Sequence, residues 1–163
     1  MSGKQTEPHM TLNDLIAPGA IVHALAATSK KQALEELAQV AAPLAGIDAW
    51  ELFNALLQRE RLGSTALGRG VAVPHVHVRG LNRIVCHFAR LAKPVEFDAP
   101  DHQPVDLVFL LLSPDHASGD HLKALARISR LVRDQSMIEQ LRAAKDLAVL
   151  RNVLLPAKAP HAA

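Results

Sequence analysis

The sequence has one cysteine, Cys86, no tyrosine, one tryptophan and four phenylalanines in 163 residues. A single cysteine excludes an internal disulfide and is the usage expected of a reducing compartment. So few aromatic rings leave no platform on which nucleobases could stack. Charge of one sign is also missing: the net charge is +2 at neutral pH and no basic run stands out, so the electrostatic footprint of a nucleic-acid binder is absent. The longest apolar run, Leu107 to Leu112, falls far short of the ~20 residues that span a bilayer, and no apolar signal-peptide core opens the chain. These absences point to a cytoplasmic protein with no nucleic-acid partner and no direct membrane insertion.

What is present suits one globular domain. The 49% apolar content is enough for a full core in a chain of this length. Residues 1–10 are polar and read as a disordered tail, residues 11–155 as the domain, and residues 156–163 as a flexible end. Leu12 to Ile16 reads as a short turn and Ile21 to Leu25 as a strand. Ser29, with Gln32 three residues on, forms a capping box for a helix whose stripe is Leu34, Leu37, Ala38, Ala41 and Leu44. Gly46 ends that helix, and Asp48 caps the next, whose stripe is Ala49, Leu52, Phe53, Leu56 and Leu57. Arg59 and Arg61 flank this stripe on opposite sides while Glu60 continues it, so periodicity does not choose which arginine faces the following loop. Arg83 to Leu91 alternates as a strand, and Val105 to Leu112, nearly all apolar, reads as a central strand covered on both faces. Ala124, Leu125, Ile128 and Val132 mark a helix with Lys123, Arg127, Arg130 and Arg133 outward, and two short helices follow near 136–144 and 146–154. Alternating strands and helices predict a single α/β domain.

The stretch Arg59 to His77 carries the chemistry. A loop with Gly63, Gly68 and Gly70 and the hydroxyls of Ser64 and Thr65 leads through Val71 to Val73 into Pro74 and His75. Proline stiffens the approach, and glycine lets backbone come close to a ligand. A histidine so held, beside N–H and O–H donors and an arginine, suits phosphate. The pattern Arg59-Glu60, Gly63-Ser64-Thr65, Gly68, Gly70-Val71-Ala72-Val73-Pro74-His75 resembles the signature of enzyme IIA domains of the bacterial phosphotransferase system, in the fructose/mannitol/nitrogen class. Pro94 to Leu107 and His121-Leu122 extend the resemblance over about Leu12 to Leu155. It departs at Val76, where that family usually has glycine.

The resemblance implies a central mixed β-sheet flanked by helices, a phosphoryl group accepted on His75 from an HPr-like carrier, and no cofactor. It selects Arg59 as the arginine at the site and gives His121 a supporting role. Ser64, Thr65 and His77 are expected to bind the phosphoryl group. With no transporter domain in the sequence, the nitrogen-regulatory branch is favoured, in which the phosphorylation state controls target proteins. A sugar branch passing phosphate to a separate permease domain stays open. So does a module that binds partners or a metal through His75, His77 and His121 without transfer, although no metal site is expected from ligand spacing. Asp106 reads as a satisfied structural carboxylate, and His87, His102 and His116 as surface or core-edge residues. Val71, Val73, Val76 and Leu67, where exposed, would line the docking centre. If the chain stays extended past Pro74, Val76 turns away and His75 and His77 share a face.

Overall fold

A computed structural model describes residues 11–156, so the expected tail at 1–10 and all of that at 156–163 except Pro156 lie outside the described residues. Thirteen short elements build one layered domain. α1 is Leu12–Leu15, followed by a 3-10 turn at Pro18–Ala20, β1 (Ile21–Leu25), α2 (Lys30–Ala45) and α3 (Ala49–Arg61). Then come β2 (Ala66–Gly68), β3 (Val71–Ala72), β4 (His75–Val78), β5 (Val85–Val95), β6 (Val105–Pro114), α4 (Ser118–Val132), α5 (Gln135–Ala143) and α6 (Leu147–Leu154). The six-stranded sheet runs β1-β5-β6-β3-β2, with β4 also on β6. It is mixed: β1/β5, β3/β6 and β4/β6 are parallel, while β5/β6 and β2/β3 are antiparallel.

β6 sits at the centre because its residues tolerate burial on both sides. Leu107 to Ser113 are fully inaccessible. Even-numbered side chains such as Val108, Leu110 and Leu112 pack under α2 and α3, and odd-numbered ones such as Leu107, Phe109 and Leu111 pack under α4, α5 and α6. The same alternation holds along β5, where Cys86 and Phe88 face the second layer and Ala89 and Leu91 the first.

Several differences from the sequence reading have local causes. Gln32 does close the cap of α2, but its side chain accepts from the Thr28 N–H and hydroxyl, one residue ahead of the capping Ser29. β5 starts at Val85 and runs on to Val95, pairing Val95 with Val105 after an irregularity beyond Arg90. β2 lies inside what reads as a glycine loop. Gly68, Arg69 and Gly70 turn it back with φ of 98°, 55° and 80°. Gly70 has no alternative there, since a Cβ would stand 2.9 Å from Asp106 Oδ1. Asp106 is indeed structural: its carboxylate takes Arg142 in a forked pair at 2.9 to 3.2 Å. Arg127 is half-buried where an outward position was expected.

Candidate functional site

β3 and β4 lie end to end along one edge of β6. Val71 pairs Leu107, Ala72 pairs Val108, His75 pairs Leu111 and Val76 pairs Leu112, so the register crosses Val73-Pro74 without a slip. Pro74 has no N–H to give the ladder, but its carbonyl accepts from Leu111 N at 2.9 Å, which keeps the two halves in line. The chain therefore stays extended past Pro74. Val76 points into the layer of α2 and α3, and His75 and His77 emerge on the opposite face. The family glycine is not needed for this geometry, and the buried valine contributes packing. Val76→Gly is accordingly expected to lower stability by about 2 kcal/mol, from lost packing and added backbone freedom, while His75 keeps its position. Chemical denaturation of both proteins checks this; equal stability would contradict it.

His75 is half-buried, with Nδ1 2.8 Å from the Val73 carbonyl oxygen. A carbonyl only accepts, so Nδ1 carries the proton and the lone pair sits on Nε2. Burial is the main cause that lowers its pKa; the Val73 bond offsets part of this and the Arg59 charge adds to it. The ring is thus neutral at pH 7. His77 is more exposed, and its Nδ1 lies 3.2 Å from the Pro114 carbonyl. His121 enters from the first turns of α4. It is 7% exposed, and its Nδ1 bonds the hydroxyl of the fully buried Ser113. The His121 ring stacks on His77 at 4.6 Å between centroids and meets His75 at 5.3 Å. Burial, then the neighbouring His77 and His75, push its pKa down to about 4.

Arg59 reaches the same place from the last turn of α3. Its Nη1 donates to the Gly63 carbonyl at 2.9 Å, and it lines an open cleft of about 600 Å³ with Ala55, Gln58, Leu62, His75, Val76, His77 and His121. Arg61 is exposed and lies outside the cleft lining. One structure thus gathers Arg59, His75, His77 and His121, while Ser64 and Thr65 are not brought to the imidazoles. The Ser64 hydroxyl donates to Phe97 O at 2.7 Å and accepts from Ala66 N at 3.1 Å. The Thr65 hydroxyl donates to the Glu60 carboxylate, and neither residue lines the cleft. Both hydroxyls hold the loop's shape, because a buried polar group takes the nearest partner it can satisfy.

The partner of Thr65 is a residue that the sequence reading left as part of a stripe. Glu60 is 7% exposed and is paired with Lys30 Nζ at 2.7 Å. Lys30 also donates to Phe97 O at 3.2 Å and lies over the Phe97 ring, 4.9 Å from its centroid. The pair joins the start of α2, the end of α3, the signature loop and the segment after β5. One signal existed: a lysine at the first position of a helix sits at the wrong end of the dipole and calls for a compensating anion. Ser113, one residue past the apolar stretch of β6, orients His121 through its hydroxyl. Among the described residues, no three His, Cys, Asp or Glu side chains are placed to hold a metal ion.

A pH dependence follows from these burials. His121 and His87 both titrate at about 4 in the folded chain, against ~6.5 for a free imidazole. Between those values the unfolded state binds more protons. Stability from these groups is therefore full above ~pH 6.5 and is lost as pH falls toward 4. The melting temperature is expected to fall through that window, and less steeply in His87→Leu; a flat profile would contradict the burial.

Residues 14–156 match the model of the phosphoenolpyruvate-dependent sugar phosphotransferase system EIIA 2 family. A nitrogen regulatory protein of Bradyrhizobium diazoefficiens is 54% identical over 145 residues, covering 89% of this chain and 95% of the relative. One from Pseudomonas aeruginosa is 36% identical over 145 residues, covering 88% and 94%. Among solved structures, the nitrogen regulatory protein IIA-Ntr from Neisseria meningitidis superposes with a TM-score of 0.81 at 35% identity, covering 86% of this chain and 97% of that one. The IIA mannitol structure from Escherichia coli, at 22% identity and a TM-score of 0.71 over 85% and 97%, shares the fold. On these matches the chain belongs to the EIIA 2 family of the phosphoenolpyruvate-dependent sugar phosphotransferase system.

Proposed function

We propose that this protein is a phosphoryl carrier of the nitrogen-regulatory kind. His75 accepts a phosphoryl group from the phosphohistidine of a small HPr-like carrier, and the phosphorylation state controls target proteins. The observation that carries this reading is the His75 Nδ1–H bond to the Val73 carbonyl, which leaves the Nε2 lone pair toward the cleft shared with Arg59. The nitrogen regulatory relatives favour this branch over sugar delivery.

In the transfer, the Nε2 lone pair attacks phosphorus in line with the donor's P–N bond. That bond's electrons return to the donor nitrogen as the Nε2–P bond forms, so no proton need be supplied or removed. The new phosphoimidazole ring keeps its Nδ1 proton and is formally cationic, and the Val73 carbonyl stabilises it. The Arg59 guanidinium, with one of its five N–H groups on Gly63, meets the transferring oxygens with the others. His121 is neutral; with the Ser113 hydroxyl donating to its Nδ1, its Nε2–H donates to a phosphoryl oxygen. His77 closes the other side of the cleft. No cofactor is required.

Docking of the donor would centre on the cleft rim. Leu62 is 86% exposed and lines the cleft, and Leu122, beside His121, is 66% exposed. Val71 and Val73, which the sequence suggested for the docking centre, face the core and are not available; Val76 borders the cleft but is only 9% exposed, and Leu67 is 47% exposed. A carrier that releases its partner after each transfer needs a small interface.

The test is intact mass after incubation with a phosphorylated HPr-like protein, with a gain of one phosphoryl group expected. Arg59→Ala should slow the gain about 10²-fold at an unchanged melting temperature, as for loss of one charge-stabilising donor. Arg61→Ala should match the wild type. Equal rates for the Arg59 variant and wild type would remove Arg59 from the mechanism.

A further inference from the structure

We propose a second small-molecule site, on the far side of the sheet centre from β4, that takes a short aliphatic carboxylate bearing a hydroxyl several carbons from the carboxyl group. It arises from a mismatch in strand length. β1 pairs β5 only from Phe88 onward, because Ile21 is opposite Phe88. The first residues of β5, Val85 to His87, extend beyond β1, and residues of α1 and of the 3-10 turn Pro18–Ala20 face that stretch across a shared cavity. A helix and a turn do not fill a strand's position, and a cavity of about 440 Å³ remains.

The lining sorts into three parts. Leu15, Ile16, Leu44 and Val85 give apolar walls. His87 lines the same cavity with only 4% of its surface exposed, and its Nδ1 has no hydrogen-bond partner among the described residues. Such a group normally has one, since an unsatisfied buried polar atom costs the full desolvation of that atom. Arg83 is exposed at the rim. Asp14 shares the rim, but its carboxylate already takes the Thr11 N–H and hydroxyl, each at 2.9 Å, in the cap of α1.

These parts define the occupant. Arg83 supplies a forked cation, which recognises a carboxylate. The walls favour a methylene chain. Four residues at the strand rise place the Arg83 and His87 Cα atoms at most ~13 Å apart, and both residues line the cavity, so a chain of a few carbons spans the distance between their side chains. Burial keeps His87 neutral at pH 7, so its Nδ1 offers either a proton or a lone pair. A hydroxyl satisfies either one, being both donor and acceptor. His87 pairs Leu110 on β6, and the neighbouring Leu111 pairs His75, so the site stands two strands from the phosphoryl acceptor without sharing a residue with its cleft.

The test uses the full chain labelled with 15N in histidine, titrated with 4-hydroxybutyrate and separately with butyrate. A saturable shift of the His87 ring nitrogens is expected, with butyrate bound about tenfold more weakly for want of the hydroxyl. Arg83→Gln should weaken both ligands, while His75→Ala should leave both affinities unchanged, which separates this site from the phosphoryl cleft. The proposal is overturned if His87 shows no saturable shift, if the two acids bind equally, or if the shifts fall on His75, His77 and His121 instead.

Discussion

His75→Ala is expected to abolish acid-labile phosphorylation, a loss beyond ~10³-fold in transfer rate, with the fold intact. The size of the effect follows from the chemistry. Removing the nucleophile leaves no bond to form, whereas removing a neighbouring donor only raises the barrier. The fold should survive because His75 is half-buried and its one intramolecular bond is to a carbonyl two residues away. The cleft holds two further imidazoles, so the variant discriminates among them. His77 also has its Nδ1 at a carbonyl and therefore also presents a lone pair on Nε2, but the Arg59 charge acts on His75. His121 is buried and bonded to Ser113. If His75→Ala still takes up phosphate on histidine, His77 becomes the acceptor, and a double variant with His77→Ala would show it.

Glu60→Gln is expected to be the most damaging single change to the loop that carries the site. The carboxylate is paired with Lys30 and accepts from Thr65, so the amide would leave an ammonium only 19% exposed with the longer contact to the exposed Asp98, at 3.4 Å, as its remaining counter-charge. Breaking a buried pair from one side costs ~3–5 kcal/mol, and the partial exposure of Lys30 places the effect near the low end, at about 3 kcal/mol. Lys30→Met together with Glu60→Gln should recover part of the loss, because the stranded charge is then gone. A Glu60→Gln protein that unfolds at the wild-type denaturant midpoint would mean that the pair contributes little and that the loop is held by its backbone alone. Since Thr65 O accepts from Val73 N at 3.0 Å, loosening the loop should also show as slower transfer to His75.

Much of this is legible in the amino-acid sequence. The nearly all-apolar stretch Val105 to Leu112 and the stripes of the two helices after Ser29 and Asp48 reflect burial, which one-dimensional patterns record well. His75 could be picked out from the glycines and the proline that precede it, whereas Arg59 and the supporting role of His121 rested on the resemblance, because periodicity does not choose between Arg59 and Arg61. The polar bonds were not legible. Ser64 and Thr65 carry donors suited to a phosphoryl group, yet each has a closer partner, Phe97 O or Glu60, that is brought in by segments 33 residues away for one and 5 for the other. Lys30 and Glu60 meet only once α2 and α3 are packed. β4 was conditional on a backbone that could continue through proline, and it continues because Leu111 N has the Pro74 carbonyl to bond. The cavity at His87 comes from a strand that ends early, a property of pairing and not of any residue's type.

The central claim is that His75 Nε2 is the phosphoryl acceptor, because the Val73 carbonyl holds the proton on Nδ1. Long-range 1H–15N correlation spectra of the 15N-histidine protein, before and after phosphorylation by an HPr-like donor, measure it most directly. Before transfer, the His75 ring should show a protonated Nδ1 and an unprotonated Nε2 at pH 7; afterwards, phosphorus coupling should appear on His75 Nε2 alone. Phosphorus on Nδ1 of His75, or on His77 or His121, would contradict the account.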